Sequence, residues 1–133
     1  MMRAMLDTNI VSALMRGPGD RVRRRLDVLG VGNVCMSIIT AGELEFGLAR
    51  SRSPKVSAWV ADIMDTIQVV DLEGSVARHY GELRAYLAAR GRIIGPNDIW
   101  IAAHALALDL TLVTANIREF ARVPGLRVEN WLD

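Results

Sequence analysis

The chain predicts a three-layer α/β/α domain with a mainly parallel sheet. Two observations point there. Short strand-like runs alternate with segments of helical spacing, and most boundaries carry a cap or breaker residue. No linker, repeat or low-complexity stretch interrupts the alternation, and 133 residues suit a single domain, 1–133, with a sizeable core.

Met2 to Leu6 reads as a short buried strand ending at Asp7. Thr8 and Asn9 suit the N-cap of a helix through Met15, which Gly17-Pro18-Gly19 terminates. Asp20 caps a second, arginine-rich helix ending near Gly30. Val34 to Ile38 has strand character, and Thr40 caps a helix carrying Glu43, Leu44, Gly47 and Leu48. Ser53-Pro54 opens another helix, with Trp59, Ile63 and Val56 on its apolar face. Ile67 to Val70 is a strand. Gly74-Ser75 leads into a helix to about Arg90, in which Val76, Tyr80, Leu83 and Leu87 recur at helical spacing. Gly91 to Pro96 is a loop, and Asn97 or Asp98 caps the next helix. Leu110 to Val113 is a strand, Asn116 to Phe120 one helical turn, and Leu126 to Glu129 a final edge strand.

Hydrophobic residues make up 51% and charged residues 23%, the balance of a globular chain rather than a disordered one. Cys35 sits in an apolar stretch as a buried, inert thiol, and one cysteine with two histidines is too few for a typical structural zinc site. Asp7 breaks the apolar start before a secretory leader forms, and Ile99 to Leu108 is too short to cross a membrane. A soluble, cytoplasmic protein with no membrane partner is the expectation. The net charge of +1 says little about partners, and the excess of arginine over the single Lys55 fits a codon bias as well as phosphate binding. The run Arg21-Val22-Arg23-Arg24-Arg25 makes a local positive field, or else a solvated helix face.

Three acids sit where a charge is normally rejected: Asp7 after Ala4-Met5-Leu6, Glu43 after Ile38 to Gly42, and Asp98 before the apolar run from Ile99. Parallel sheets place sites beyond the carboxyl ends of their strands. Asp7 ends the first strand, Thr114-Ala115-Asn116 follows another, and Glu43 and Asp98 fall in first turns of helices. All of these can converge on one crevice and hold Mg²⁺ or Mn²⁺, which prefer oxygen ligands. Each acid also has a structural reading: Asp7 as a cap, Glu43 in a capping box with Thr40, and Asp98 favouring a helix start.

Asp7-Thr8-Asn9 after a strand, Glu43-Leu44 with Gly47, and Pro96-Asn97-Asp98 followed by Ile101-Ala102-Ala103-His104-Ala105 resemble the PIN-domain ribonucleases, above all the VapC toxins of bacterial toxin–antitoxin pairs. Thr114-Ala115-Asn116, Phe120, Pro124-Gly125-Leu126 and Glu129-Asn130-Trp131 extend the likeness over essentially the whole chain. The resemblance implies a PIN-like fold and a Mg²⁺- or Mn²⁺-dependent endoribonuclease. Asp7, Glu43 and Asp98 match the family's metal-site positions, and Asn116 completes the catalytic set. Hydrolysis would leave a 5′-phosphate and a 3′-hydroxyl. It further implies a homodimer, a VapB-type antitoxin that inserts a helix near the acids, and RNA as substrate. Gly95-Pro96 and Arg118-Glu119-Phe120 look most like members that cut initiator tRNA in its anticodon loop.

Asn116 departs from the family, many of whose members carry a fourth acid there. Glu119, three residues on, is positioned to supply the charge, and Thr114 to hydrogen-bond Asp7. Arg21, Arg23, Arg24 and Arg25, with Arg50 and Arg52, are the candidate RNA-backbone contacts. His104 lies about 120° around the helix from Asp98 and reads as structural. Trp100 and Trp131 read as packing rather than base stacking. The alternative function is a non-catalytic PIN-fold module that binds RNA or protein. An aspartyl phosphatase is disfavoured, because no second aspartate follows Asp7 two residues on.

Overall fold

The computed structural model describes residues 2–15 and 20–132. Five strands are present: β1 (Ala4–Leu6), β2 (Val34–Ser37), β3 (Gln68–Val70), β4 (Thr111–Val113) and β5 (Val128–Glu129). They form one sheet in the order β3-β2-β1-β4-β5, and every pairing is parallel. Seven α-helices connect them: α1 (Thr8–Met15), α2 (Asp20–Leu29), α3 (Ile38–Ser51), α4 (Pro54–Thr66), α5 (Val76–Ala89), α6 (Pro96–Ala107) and α7 (Ile117–Phe120).

Side chains on a strand alternate between faces, and here both faces are covered. Ala4 and Leu6 of β1, Val34 and Met36 of β2 and Val113 of β4 join Ile10, Val11, Leu26, Leu44 and Ile63 in one core. Met5, Cys35 and Leu112 face the other way, into a core with Leu83, Leu87, Ile99, Ile101 and Phe120. The sheet is thus a middle layer, with α1 to α4 supplying most of one cover and α5 to α7 the other. Burial pushes the Cys35 thiol up to about 12, as an inert core cysteine requires. Among the described residues, no helix is long and apolar enough to cross a membrane.

Several helix starts differ from the sequence reading. The cap of α6 is neither Asn97 nor Asp98 but Gly95, since Pro96 takes the first helical position, where its missing N–H costs nothing. Thr40 does not cap α3. The chain leaves β2 straight into the helix, and the Ser37 hydroxyl accepts from Ile39 N–H at 3.1 Å. Glu43 therefore lies in the second turn, and its capping box with Thr40 does not exist. Neither Thr8 nor Asn9 caps α1, because Asp7 Oδ1 accepts from Ile10 N–H at 3.1 Å and does so itself. Val60, not Trp59 or Val56, joins Ile63 as the buried face of α4. A 3₁₀ turn at Val31–Asn33 precedes β2. The Gly17-Pro18-Gly19 helix stop lies outside the described residues, as does the side chain of Asp20.

Candidate active site

β1 ends in the centre of the sheet, and its next residue is Asp7, 6% exposed. Its N–H donates to Val113 O at 3.0 Å, which ties the turn to the end of β4. Burial pushes the Asp7 carboxyl above its ordinary range. Hydrogen bonds from Thr114 and from the Ile10 and Asn9 amides act against that, and the Glu43 charge adds to it. The cap and ligand readings of Asp7 are therefore compatible, for Ile10 occupies only one of its oxygens. Thr114 is fully buried and accepts from the Asn116 amide at 3.0 Å, so Asn116, Thr114 and Asp7 form a chain of hydrogen bonds.

Glu43 projects from α3 and takes a very short hydrogen bond from the Thr8 hydroxyl. Asp98 stands in the first turn of α6, where the helix dipole favours an anion. A Cβ added at Gly95 would lie 3.4 Å from Asp98 Oδ2, so glycine leaves that carboxylate room to fold back over the loop. Glu119 on α7 accepts a hydrogen bond from the Asn116 side-chain amide (Nδ2) and another from Gly95 N–H at 3.3 Å. The Asp98 carboxyl is pushed up to about 7, first by desolvation, then by a hydrogen bond and charge shared with Glu119, and then by the charges of Glu43 and Asp7. Four carboxylates from β1, α3, α6 and α7 thus share one electrostatic field.

Among the described residues, no group of three or more His, Cys, Asp or Glu side chains is arranged to hold a metal ion. Mutual repulsion acts over several ångströms, whereas direct ligation needs oxygens about 2 Å from the ion. The donor set is oxygen only, and a cation would relieve the repulsion that raises Asp98. That suits Mg²⁺, which keeps several of its waters and uses one or two carboxylates. Among the described residues, none of Arg21, Arg23, Arg24, Arg25, Arg50 and Arg52 hydrogen-bonds or ion-pairs with these acids. Arg21 donates to Leu132 O, Arg23 to Leu14 O, and Arg25 pairs with Glu129, while Arg50 lies over the Phe46 ring.

Two supporting residues escaped the sequence reading. Thr8 steers Glu43, and the Ser37 hydroxyl and His104 Nδ1 are hydrogen-bonded at 2.8 Å, which joins the start of α3 to α6. Only the unbroken Asp7-Thr8-Asn9 triplet hinted at the first. His104 is completely buried, and burial lowers its pKa, so its role is structural, as expected. Trp131 is buried and donates to Glu129, while Trp100 stacks on Tyr80 with ring centres 3.8 Å apart.

The PIN domain family matches residues 4–126. Ribonuclease VapC2 of Haemophilus influenzae is 40% identical, across 99% of this chain and 100% of its own length. The tRNA(fMet)-specific endonuclease VapC of Shigella flexneri is 41% identical, across 98% of this chain and 99% of its own length. Among solved structures, DNA-bound VapBC from Salmonella typhimurium superimposes with a TM-score of 0.93 at 37% identity, across 98% of this chain and 99% of the other. DNA-bound VapBC2 from Rickettsia felis gives 0.91 at 36% identity, with the same coverage of both chains. With that similarity running end to end, the chain belongs to the PIN-domain family, in its VapC ribonuclease branch.

Proposed function

We propose that this chain is the toxin of a toxin–antitoxin pair, a divalent-metal-dependent endoribonuclease whose site is Asp7, Glu43, Asp98 and Asn116, supported by Thr114 and Glu119. The observation that carries the reading is the convergence of Asp7, Glu43, Asp98 and Glu119 from separate elements at the carboxyl end of the sheet, with the Asp98 carboxyl pushed up as a consequence. Such displaced titrations gather where carboxylates are held together for chemistry. The neighbouring Glu119 supplies the charge that the neutral Asn116 lacks, and Asn116 holds it in place.

When bound at Asp7 and Asp98, a Mg²⁺ or Mn²⁺ ion would supply charge neutralisation and activation of water for attack on a phosphodiester. The chain's own residues do the positioning. Ile10 and Thr114 fix the Asp7 carboxylate, and Thr8 fixes Glu43. The hydrogen bond that Asp98 shares with Glu119 favours the protonated form of Asp98 and orients its carboxyl. Hydrolysis yields a 5′-phosphate and a 3′-hydroxyl. The name of the Shigella relative supports initiator tRNA as the finer substrate. The VapBC complexes support a VapB-type antitoxin partner, for which the cleft of about 390 Å³ lined by Leu14, Leu26, Trp59 and Ile63 together with Arg23, Asp62 and Thr66 offers a mixed apolar and polar seat. The same reading makes the chain a homodimer, which sedimentation velocity measures directly.

A non-catalytic RNA- or protein-binding module is the second reading, favoured by the neutral Asn116 and by the lack of a ready three-ligand cluster. One experiment separates them: incubation with a total tRNA pool, with and without Mg²⁺, beside Asp7→Asn and Asp98→Asn variants. Metal-dependent cutting lost in both variants is expected. Cutting that survives chelator and both changes would falsify the nuclease site.

A further inference from the structure

Four arginines from two distant segments meet beside the acids. Arg90 and Arg92, at the end of α5, line a cleft of about 250 Å³ together with Arg118 and Arg122, on and just after α7. No Asp or Glu lines it, and none of the four makes an ion pair among the described residues. Arg118 and Arg122 also line a second cleft of about 460 Å³, whose other walls are Gly95, Asn116 and Glu119. The two clefts therefore share a wall, and one of them opens on the acidic site.

Like charges held together without counter-ions repel, and a polyanion relieves them. Two of the guanidinium groups are also held in place. Arg90 lies 3.6 Å from the centre of the Tyr86 ring and donates to Tyr86 O at 3.2 Å. Arg122 donates to Ile93 O at 3.4 Å, while its Nε is buried without a partner. Arg122 is only partly buried, and the remaining N–H groups of its guanidinium are of the kind that donate to phosphate oxygens.

Resting on the nuclease reading above, we propose that Arg90, Arg92, Arg118 and Arg122 form the track for the RNA strand flanking the scissile phosphate. Phosphate contacts of this kind fix register without reading sequence. The carboxylates repel the backbone at the reaction centre, and the arginine cleft beside them holds it.

The test measures binding apart from cleavage. Labelled total tRNA is titrated with Asp98→Asn protein in EDTA over a range of salt, and compared with the same protein carrying Arg92→Gln and Arg118→Gln, two exposed positions. Two lost phosphate contacts should flatten the salt slope by about 1.4 to 1.8 and weaken binding roughly 25- to 60-fold at 0.1 M salt. Lys55→Gln, on α4, should change neither by more than one contact's share. Wild-type protein with Mg²⁺ and the same tRNA is the cleavage arm. If it cuts while the arginine variant keeps its parent's affinity and slope, the cleft assignment is wrong and the nuclease stands. If wild type neither cuts nor binds, the nuclease reading falls and takes the cleft with it.

Discussion

Replacing Asp98 by asparagine should stabilise the metal-free protein while it disables the enzyme. The folded state raises this carboxyl from an ordinary 3.8 to about 7. A raised folded value means stability present below pH 3.8 and lost as pH rises through about 7, because the native state holds a proton that the unfolded chain releases. Three pH units at about 1.4 kcal/mol each set a ceiling of about 4 kcal/mol. Asp98 is only half-buried, and solvent screening trims that to about 1–2 kcal/mol. For 133 residues, an unfolding entropy of about 2.1 cal/mol/K per residue converts this into a Tm gain of roughly 4–7 °C. The asparagine amide can still donate to Glu119. The assay is thermal unfolding in EDTA from pH 4 to 8. The gain should be full at pH 7.5 and gone near pH 4, where both side chains are neutral. Added Mg²⁺ should reverse the order, since ligand at a hundred times its Kd stabilises by about 2.7 kcal/mol and only wild type binds well. A variant no more stable than wild type at pH 7.5 in EDTA would refute the reasoning, as would a variant whose Tm rises with Mg²⁺ as much as that of wild type.

Other outcomes follow from single contacts. Thr8→Ala frees the Glu43 carboxylate and should lower the cleavage rate about tenfold, with Tm within a few degrees of wild type; unchanged turnover would show that Glu43 needs no steering. His104 is buried and its pKa lowered, so the unfolded chain takes up a proton that the native ring refuses, and stability falls as pH drops below about 6.5. Urea midpoints at pH 5 and 7.5, taken in the Asp98→Asn background, should show that loss and should lack it in His104→Gln. The Cys35 thiol, at about 12, should resist a thiol reagent in native protein and react fully after unfolding. Trp59→Glu replaces the aromatic wall of that cleft with a charge and should weaken co-purification with the antitoxin at least tenfold while tRNA cutting persists; undiminished pulldown would place the antitoxin elsewhere.

The sheet was legible because its signals are local. Met2 to Leu6, Val34 to Ile38, Ile67 to Val70 and Leu110 to Val113 are short apolar runs next to caps and breakers, and each contains an observed strand. Cap assignment by side-chain preference alone erred where geometry outranked it. Asn97 and Asp98 are better cap formers than glycine, yet Pro96 can only be the first helical residue and so moved the cap to Gly95. Thr40 lost to Ser37 because β2 runs into α3 without a loop. Contacts between distant segments left no trace that one sequence could show. Thr8 meets Glu43 across 35 positions, and His104 meets Ser37 across 67. The arginine run at 21–25 drew attention through its density, but density along the chain is not density in space. Three of those four side chains are engaged by Leu132, Leu14 and Glu129, whereas Arg90, Arg92, Arg118 and Arg122 form no run in sequence and converge once folded.

That contrast bears on why the acids were readable. A carboxylate among aliphatic residues breaks a local rule, and the break is visible without neighbours. Asp7 obeys the rule in part by capping α1, yet its hydrogen bonds do not bring its carboxyl back to the ordinary range. Asp98 departs further, since no described cation or arginine offsets the charges of Glu119, Glu43 and Asp7 around it. A fold under selection for stability alone would discard such a carboxylate, because asparagine fits the same position without repulsion. Its retention in a site braced by Thr8, Thr114, Asn116 and Gly95 is explained if the repulsion has a use. A hydrated cation held in this field would relieve that repulsion, so the cost borne by the metal-free protein would become affinity for the metal.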